Sequence, residues 1–186
     1  MRNSHGNLES MNLEIQRFQI PDSKILLSCQ RARAVQAAYT WLGTPYHTGG
    51  RVKSAGVDCL TLLAEVFTEA GLVERIDIPY YPNDWHLHRE SERYLQGLLH
   101  YTQEVTEPLP GDIALWKFGR CFSHGAIVVE WPVIIHAYVG RECTLEDASK
   151  AKWLTHIGEN TEDKGKRRPV RFFSVLGGNS GQACNK

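Results

Sequence analysis

The chain has 186 residues, of which 42% are hydrophobic and 23% are charged, and its 21 basic and 21 acidic residues leave no net charge. This is the size of one globular domain with a buried core, and the balanced charge gives no general attraction to nucleic acid or anionic lipid. No apolar run approaches the ~20 residues that a membrane helix requires. We therefore expect neither a nucleic-acid partner nor a membrane partner.

The two ends of the sequence lack the pattern of packed segments. Residues 1–23 are polar without a clear period, and 177–186 are rich in small and polar residues. We expect a loose N-terminal arm, a single domain over 24–176 and a flexible tail. The N-terminus lacks the apolar stretch of a signal peptide, so we expect synthesis in the cytoplasm. Five cysteines without a CxxC pair argue against a disulfide framework.

Helical signals dominate the first hundred residues. Apolar spacing predicts a helix over Ser28–Leu42, whose apolar face holds Ala32, Val35, Ala38, Tyr39 and Leu42. After a glycine-rich loop, Asp58 opens a second helix that Gly71 ends, with an apolar face of Leu62, Leu63, Val66 and Phe67. A weaker third helix is expected from about His86 to Leu99.

The second half of the sequence changes to short β-rich runs separated by turns. Strands are predicted at 112–118, 123–130, 133–139 and 170–176. The second and third of these runs are expected to pair as a hairpin around Trp131 and Pro132. Helices followed by an antiparallel sheet indicate an α+β fold.

Cys59 is the first candidate for chemistry, because it is the second residue of the predicted helix. A helix N-terminus stabilises negative charge, which favours a thiolate, and its backbone N–H groups can hold an oxyanion. The alternative is a small buried core residue, as most free cysteines are.

His124 and His136 make the catalytic interpretation of Cys59 stronger. His124 starts one predicted strand and His136 lies in the next, so the hairpin would make the two histidines neighbours across the sheet. A cysteine nucleophile needs a histidine base and a third polar group that holds the tautomer of that base. We assign these roles to His124 and His136.

Further histidines, cysteines and aromatic residues are candidates for metal or ligand binding. His86, His88 and His100 lie near Asp84, but they have no second ligand pair at a recognisable spacing, so we expect a solvated face and no metal or other cofactor. Cys121 is expected in a turn, and the basic run 164–168 in a solvated loop. The aromatic cluster of Tyr80, Tyr81 and Trp85 fits either sugar stacking or the cap of a small core.

The segments WLGTPYHTGG, GVDCLTLLAEVF, PLPGDIALW, SHGAIVV and VIIHAY together resemble the NlpC-type cysteine peptidases, and more closely their phage-tail and prophage branch. The resemblance covers roughly residues 30–176. It implies a papain-like core, in which the helix with the nucleophile packs on an antiparallel sheet. It also implies cleavage of peptidoglycan stem peptides between γ-D-glutamate and a diamino acid.

The resemblance assigns site residues by motif. Cys59 matches the nucleophile, His124 the base and His136 the orienting residue. Tyr46 matches a tyrosine lining the active site, and Asp58 an aspartate that in some members binds the free amine of the substrate. Leu60 and Thr61 replace the serine and glycine that commonly follow the nucleophile.

The resemblance also suggests where the protein acts and what else it could do. It implies action at the cell wall, with phage tail proteins as further partners. Two alternatives remain open: a tail component whose fold serves assembly, and an acyltransferase or amidase on the same fold.

Overall fold

The computed structural model describes residues 22–82, 92–155 and 164–176. In these ranges the helices are α1 (Asp22–Tyr39), α2 (Cys59–Glu69), α3 (Arg93–Leu99) and α4 (Ala151–Leu154). The strands are β1 (Arg51–Val52), β2 (Gly56–Val57), β3 (Gln103–Val105), β4 (Ile113–Phe118), β5 (Cys121–Glu130), β6 (Val133–His136), β7 (Thr144–Asp147) and β8 (Val170–Ser174). None of the described helices is both long and apolar enough to cross a bilayer.

Six strands form one antiparallel sheet in the order β3-β8-β4-β5-β6-β7, and β1 pairs separately with β2. The predicted hairpin around Trp131 and Pro132 is confirmed, since β5 pairs with β6 in the register that places Val128 opposite Ile134. The α+β prediction, with the helix that bears Cys59 packed on an antiparallel sheet, is also confirmed.

Alternate residues of the central strands separate two cores on the two faces of the sheet. Ile113, Leu115 and Ile127 pack with residues of α1 and α2 in the larger core. Ala114 and Ala126, on the other face, pack in a smaller core with Trp153 of α4. This alternation follows from the two-residue repeat of a strand.

Helix α2 follows its prediction closely. The four apolar residues predicted for its inner face, Leu62, Leu63, Val66 and Phe67, are all buried. Gly71 ends the helix with φ of +64°, a left-handed conformation that glycine adopts at low cost, and the Leu72 N–H donates to the Phe67 carbonyl.

Helix α1 begins earlier than predicted, at Asp22, so residues 22 and 23 of the expected arm are helical. Its predicted apolar face is also wrong in part. Of the predicted residues, Ala38 is fully buried, but Ala32, Tyr39 and Leu42 are exposed. Ala34, which was not predicted, is fully buried. On this helix Arg31 also faces the sheet, and its Nη1 lies 2.7 Å from Oδ1 of Asp112, the residue before β4. Hydrophobic spacing does not predict an ion pair between two residues so far apart in the sequence.

Two further expectations are corrected by the structure. Cys121 is not in a turn: it begins β5 opposite Phe118 and is fully buried, because the turn closes one residue earlier. Arg168 is not solvated, since its guanidinium donates to the carbonyls of Lys117 and Thr155 and lies 3.8 Å from the Phe118 ring centroid.

Some expectations fall on residues outside the described ranges. They are residues 1–21 of the arm, the tail 177–186, and the start of the third predicted helix with Asp84, Trp85, His86 and His88. The four cysteines in the described part, Cys29, Cys59, Cys121 and Cys143, are free thiols.

Candidate active site

Helix α2 starts at Cys59 because Asp58 caps its N-terminus. Asp58 is in an extended conformation, with φ of −117° and ψ of −179°, and its Oδ1 accepts from the N–H groups of Leu60 and Thr61. The Thr61 hydroxyl in turn accepts from the Asp58 N–H at 3.0 Å, which completes a capping box. Thr61 therefore stabilises the helix end that carries the thiol. It occupies the position where the family that the sequence resembles commonly has glycine.

The other carboxylate oxygen of Asp58 binds the two segments that flank the helix start. Oδ2 accepts from the Gly49 N–H at 2.7 Å and from the Tyr81 hydroxyl. Asp58 is 2% exposed, and its carboxylate accepts from the main chain of Leu60, Thr61 and Gly49 and from the Tyr81 hydroxyl. A role for Asp58 in binding a substrate amine stays a prediction, while its role as a structural anchor is visible.

The thiol of Cys59 lies against the main chain of strand β5, at the two residues that flank His124 in sequence. Its Sγ is 3.7 Å from the carbonyl oxygen of Ser123, to which it donates. The Gly125 N–H donates to the sulfur. The Tyr94 hydroxyl donates to the Cys59 carbonyl at 3.1 Å, which ties α3 to the start of α2. The thiol thus touches the main chain on both sides of His124.

The protonation of Cys59 differs from the expectation of a ready thiolate. Burial raises the pKa of the thiol to about 12, and the negative charge of Asp58 adds to this shift. The N–H groups of Gly125 and of Cys59 itself, together with the Tyr94 hydroxyl, lower the pKa but are outweighed. The helix N-terminus is therefore insufficient, and at neutral pH the thiol needs a base to become a nucleophile.

His124 and His136 are neighbours, as predicted, and they continue into a third group. His124 Nε2 lies 3.1 Å from His136 Nδ1, and His136 Nε2 lies 3.1 Å from Glu146 Oε2. Glu146 lies on β7, which pairs with β6. The Lys152 ammonium donates to the same Oε2 at 2.7 Å.

The ring of His124 is held within a cage of aromatic rings. Four ring centroids lie between 5.3 and 6.3 Å from that of His124, and they belong to Trp116, Phe118, Tyr138 and Trp153. His124 is 6% exposed and His136 is fully buried. The packing fixes the orientation of the imidazole and excludes water from most of its surroundings.

Tyr46 packs in the same core as Cys59, and its hydroxyl lies near the thiol. Its N–H donates to the Arg141 carbonyl at 2.9 Å, and its backbone bridges to Val57, next to Asp58. Burial raises the pKa of the Tyr46 hydroxyl to about 12, and the nearby Cys59 contributes to this shift. The hydroxyl is therefore a neutral group near the thiol, and contact with substrate stays a prediction.

Sequence reasoning missed three residues that shape the site: Glu146, Tyr94 and Tyr81. Tyr81 is half-buried against Asp58, whereas its neighbour Tyr80 is 93% exposed. The aromatic cluster was a signal for Tyr81, but nothing in the local sequence points to Tyr94 or Glu146. In the described ranges no three His, Cys, Asp or Glu side chains are grouped to hold a metal ion.

Gly125 allows α2 and α3 to approach the strand, and this predicts an effect on stability. A Cβ at this position would lie 2.9 Å from Leu63 Cδ1 and closer still to the Tyr94 hydroxyl. We expect Gly125→Ala to lower the free energy of unfolding by about 1–3 kcal/mol, the usual cost of overpacking. Chemical denaturation of the purified variant measures this change.

Gly97→Ala is the matched control, because Gly97 lies in α3 and a Cβ there meets nothing within 4 Å. Alanine is favoured over glycine in a helix by roughly 0.5–1 kcal/mol, so this variant should be neutral or more stable. Equal stability of Gly125→Ala and wild type would contradict the close packing described above.

A capped cysteine helix packed on an antiparallel sheet that carries a histidine pair defines a papain-like fold. The chain belongs to the NlpC/P60 family, whose model matches residues 43–161. No curated protein sequence matches the chain.

Solved structures with the same fold share little sequence with this chain. The peptidoglycan hydrolase RipB from Mycobacterium tuberculosis is 16% identical over 84% of this chain and 69% of its own, with a TM-score of 0.52. NlpC2 from Trichomonas vaginalis is 17% identical over 79% of this chain and 46% of its own, also with a TM-score of 0.52. NlpC1 from the same organism is 19% identical over 78% of this chain and 44% of its own, with a TM-score of 0.51. The match thus spans less than half of both Trichomonas chains.

Proposed function

We propose that this protein is a cysteine peptidase that hydrolyses peptide bonds in peptidoglycan stem peptides. The observation that carries the proposal is the thiol of Cys59, which lies against both neighbours of His124, while His124 is bonded to His136. Membership of the NlpC/P60 family supports the proposal, as does the similar fold of a protein described as a peptidoglycan hydrolase.

The finer parts of the proposal come from the sequence resemblance. The bond cut is the one between γ-D-glutamate and the diamino acid of the stem peptide. The protein acts at the cell wall, in association with a phage or prophage, and phage tail proteins are its further partners. Tyr46 and Asp58 line the part of the site that receives the substrate.

The first chemical step is attack by sulfur. His124 removes the proton from Cys59 Sγ, and the sulfur bonds to the scissile carbonyl carbon. The N–H groups of Leu60 and Thr61 are held by Asp58, whereas the Cys59 N–H faces its own Sγ. We therefore assign the Cys59 N–H as the helix-start donor to the oxyanion.

The remaining steps return the enzyme to its starting state. Protonated His124 gives its proton to the leaving amine as the C–N bond breaks, which leaves a thioester on Cys59. His124 then takes a proton from water, whose oxygen attacks the thioester, and the proton returns to the sulfur. The products are a free carboxylate and a free amine, and no cofactor is required.

Incubation of the purified protein with defined muropeptides, followed by mass spectrometry, tests the proposal. We expect two fragments separated between D-glutamate and the diamino acid, and none with Cys59→Ala. Binding without cleavage would favour a structural role, and transfer of the acyl group to an added amine would favour an acyltransferase. Either of these results would overturn the peptidase proposal.

A further inference from the structure

We infer that Glu146 is a positioning residue of this site, which acts through His136 to fix the tautomer of His124. The inference deepens the proposed function and rests on it for the role of His124 as base. It starts from a chain of contacts that crosses three neighbouring strands, β5, β6 and β7. The contacts join His124 Nε2 to His136 Nδ1, and His136 Nε2 to Glu146 Oε2, each at 3.1 Å.

The charges around Glu146 keep it ionised. Its side chain is 8% exposed, and the Lys152 ammonium lies 2.7 Å from Oε2, with Lys150 3.9 Å from Oε1. Burial opposes ionisation, but Lys152 and His136 outweigh it and hold the pKa of Glu146 below its usual range. An ionised carboxylate has no proton to give, so it can only accept from His136.

His136 is neutral at the same pH. Burial lowers its pKa to about 4, although Glu146 acts in the opposite direction, and Lys152 and Arg141 add to the lowering. A neutral imidazole carries one proton, on one of its two nitrogens. Because Nε2 faces an obligatory acceptor, the proton of His136 is on Nε2 and its Nδ1 has a lone pair.

The tautomer of His124 follows from that of His136. Since His136 Nδ1 can only accept, the 3.1 Å contact requires that His124 donates its proton from Nε2. The lone pair of His124 is then on Nδ1, which is the nitrogen that can take the thiol proton. Without Glu146, nothing in this chain of contacts selects the Nε2–H form of His136, and the direction of both bonds can reverse.

Imidazole ¹⁵N NMR of the full-length protein near pH 7.5 tests the inference without any turnover. Protonated and unprotonated ring nitrogens give well-separated signals, so both tautomers can be assigned directly. In wild type we expect Nε2–H and unprotonated Nδ1 for both His124 and His136. In Glu146→Ala we expect mixed tautomers, and in Glu146→Gln, whose amide oxygen can still accept, the wild-type tautomers.

The same variants separate positioning from stability in the kinetics. Glu146→Ala should lower kcat for muropeptide cleavage by about 10-fold with little change in KM, because part of His124 then holds its proton on Nδ1. Glu146→Gln should retain most of kcat. Because both variants remove a negative charge, the acid limb of the pH profile should move to lower pH in both.

Two control variants remove ion pairs without touching His136. Lys152→Met breaks the contact that ties Glu146 to α4, and Glu104→Gln weakens a pair with Arg171 at the far edge of the same sheet. We expect wild-type tautomers in both. Mixed tautomers in Glu104→Gln equal to those of Glu146→Ala would show that loss of any carboxylate from this sheet has the same effect, and would overturn the inference.

The NMR experiment tests the positioning role of Glu146, and the cleavage experiment tests the peptidase activity, so either claim can be wrong without the other. Wild-type tautomers in Glu146→Ala would overturn the positioning role, even if the protein cleaves muropeptides. Tautomers that depend on Glu146 in a protein without any cleavage would leave the contact chain intact and remove only the proposed peptidase activity.

Discussion

Replacement of Cys59 by alanine is expected to abolish muropeptide cleavage while the fold stays intact. The proposed mechanism uses the thiol and the main-chain N–H of Cys59. Alanine keeps the N–H but loses the sulfur that bonds to the scissile carbonyl carbon in the first step. A drop of about 10³-fold or more in kcat, down to the assay background, is the usual result when a nucleophile is lost. Cys59→Ser should also be inactive, because a hydroxyl is a weaker nucleophile in the same place.

The variant should fold because its main-chain contacts do not depend on sulfur. The capping box of Asp58 and Thr61 and the bond from Tyr94 to the Cys59 carbonyl all survive the change. Circular dichroism and the unfolding midpoint check this point. Cys29→Ala is the matched control, since Cys29 is an exposed free thiol on α1. Near-normal turnover in Cys59→Ala would exclude the peptidase mechanism.

The parts of the site that could be predicted from sequence are those encoded locally. Asp58 precedes an apolar helical run, and this pattern is typical of an N-cap whatever the rest of the chain does. Likewise, two β-rich runs joined at Trp131 and Pro132 allow only a narrow range of pairings. The contact between His124 and His136 follows from that hairpin.

The parts that could not be predicted depend on contacts between distant segments. Glu146 reaches His136 because β7 pairs with β6, and the four residues of β7 carry no clear β pattern. Tyr94 reaches Cys59 because α3 packs near β5 at Gly125, 31 positions later in the sequence. Such contacts are set by tertiary packing, which hydrophobic periodicity does not describe.

The pKa of Cys59 was expected in the wrong direction for a related reason. The helix N-terminus does act as expected, since nearby N–H groups lower the pKa of the thiol. The upward shift from burial and from the charge of Asp58 is larger than this downward shift. Both causes depend on the folded structure, so the sequence does not show them. The same carboxylate that starts the helix therefore opposes the thiolate, which makes the base more important than the sequence suggested.

His124→Ala is expected to have the second large effect, a loss of about 10²–10⁴-fold in kcat, which is the usual contribution of general acid–base catalysis. The variant leaves a thiol whose pKa is about 12, with no imidazole to remove its proton or to protonate the leaving amine. The caging rings of Trp116 and Trp153 should keep the fold, although the cavity left by the imidazole will cost some stability. Steady-state kinetics on a defined muropeptide measures the loss.

The pH dependence of this variant identifies His124 as the base. Below its pKa, the thiolate fraction of Cys59 increases about tenfold for each pH unit, so the residual rate of His124→Ala should increase steadily between pH 7 and 10. The rate of wild type should level off once His124 is neutral.

His136 provides the matched comparison, because His136→Asn keeps an oxygen that can accept from His124 Nε2–H, whereas His136→Ala does not. We expect activity to decrease in the order wild type, His136→Asn, His136→Ala and His124→Ala. A pH profile of His124→Ala parallel to that of wild type, or greater damage from His136→Ala, would show that the base is a different group.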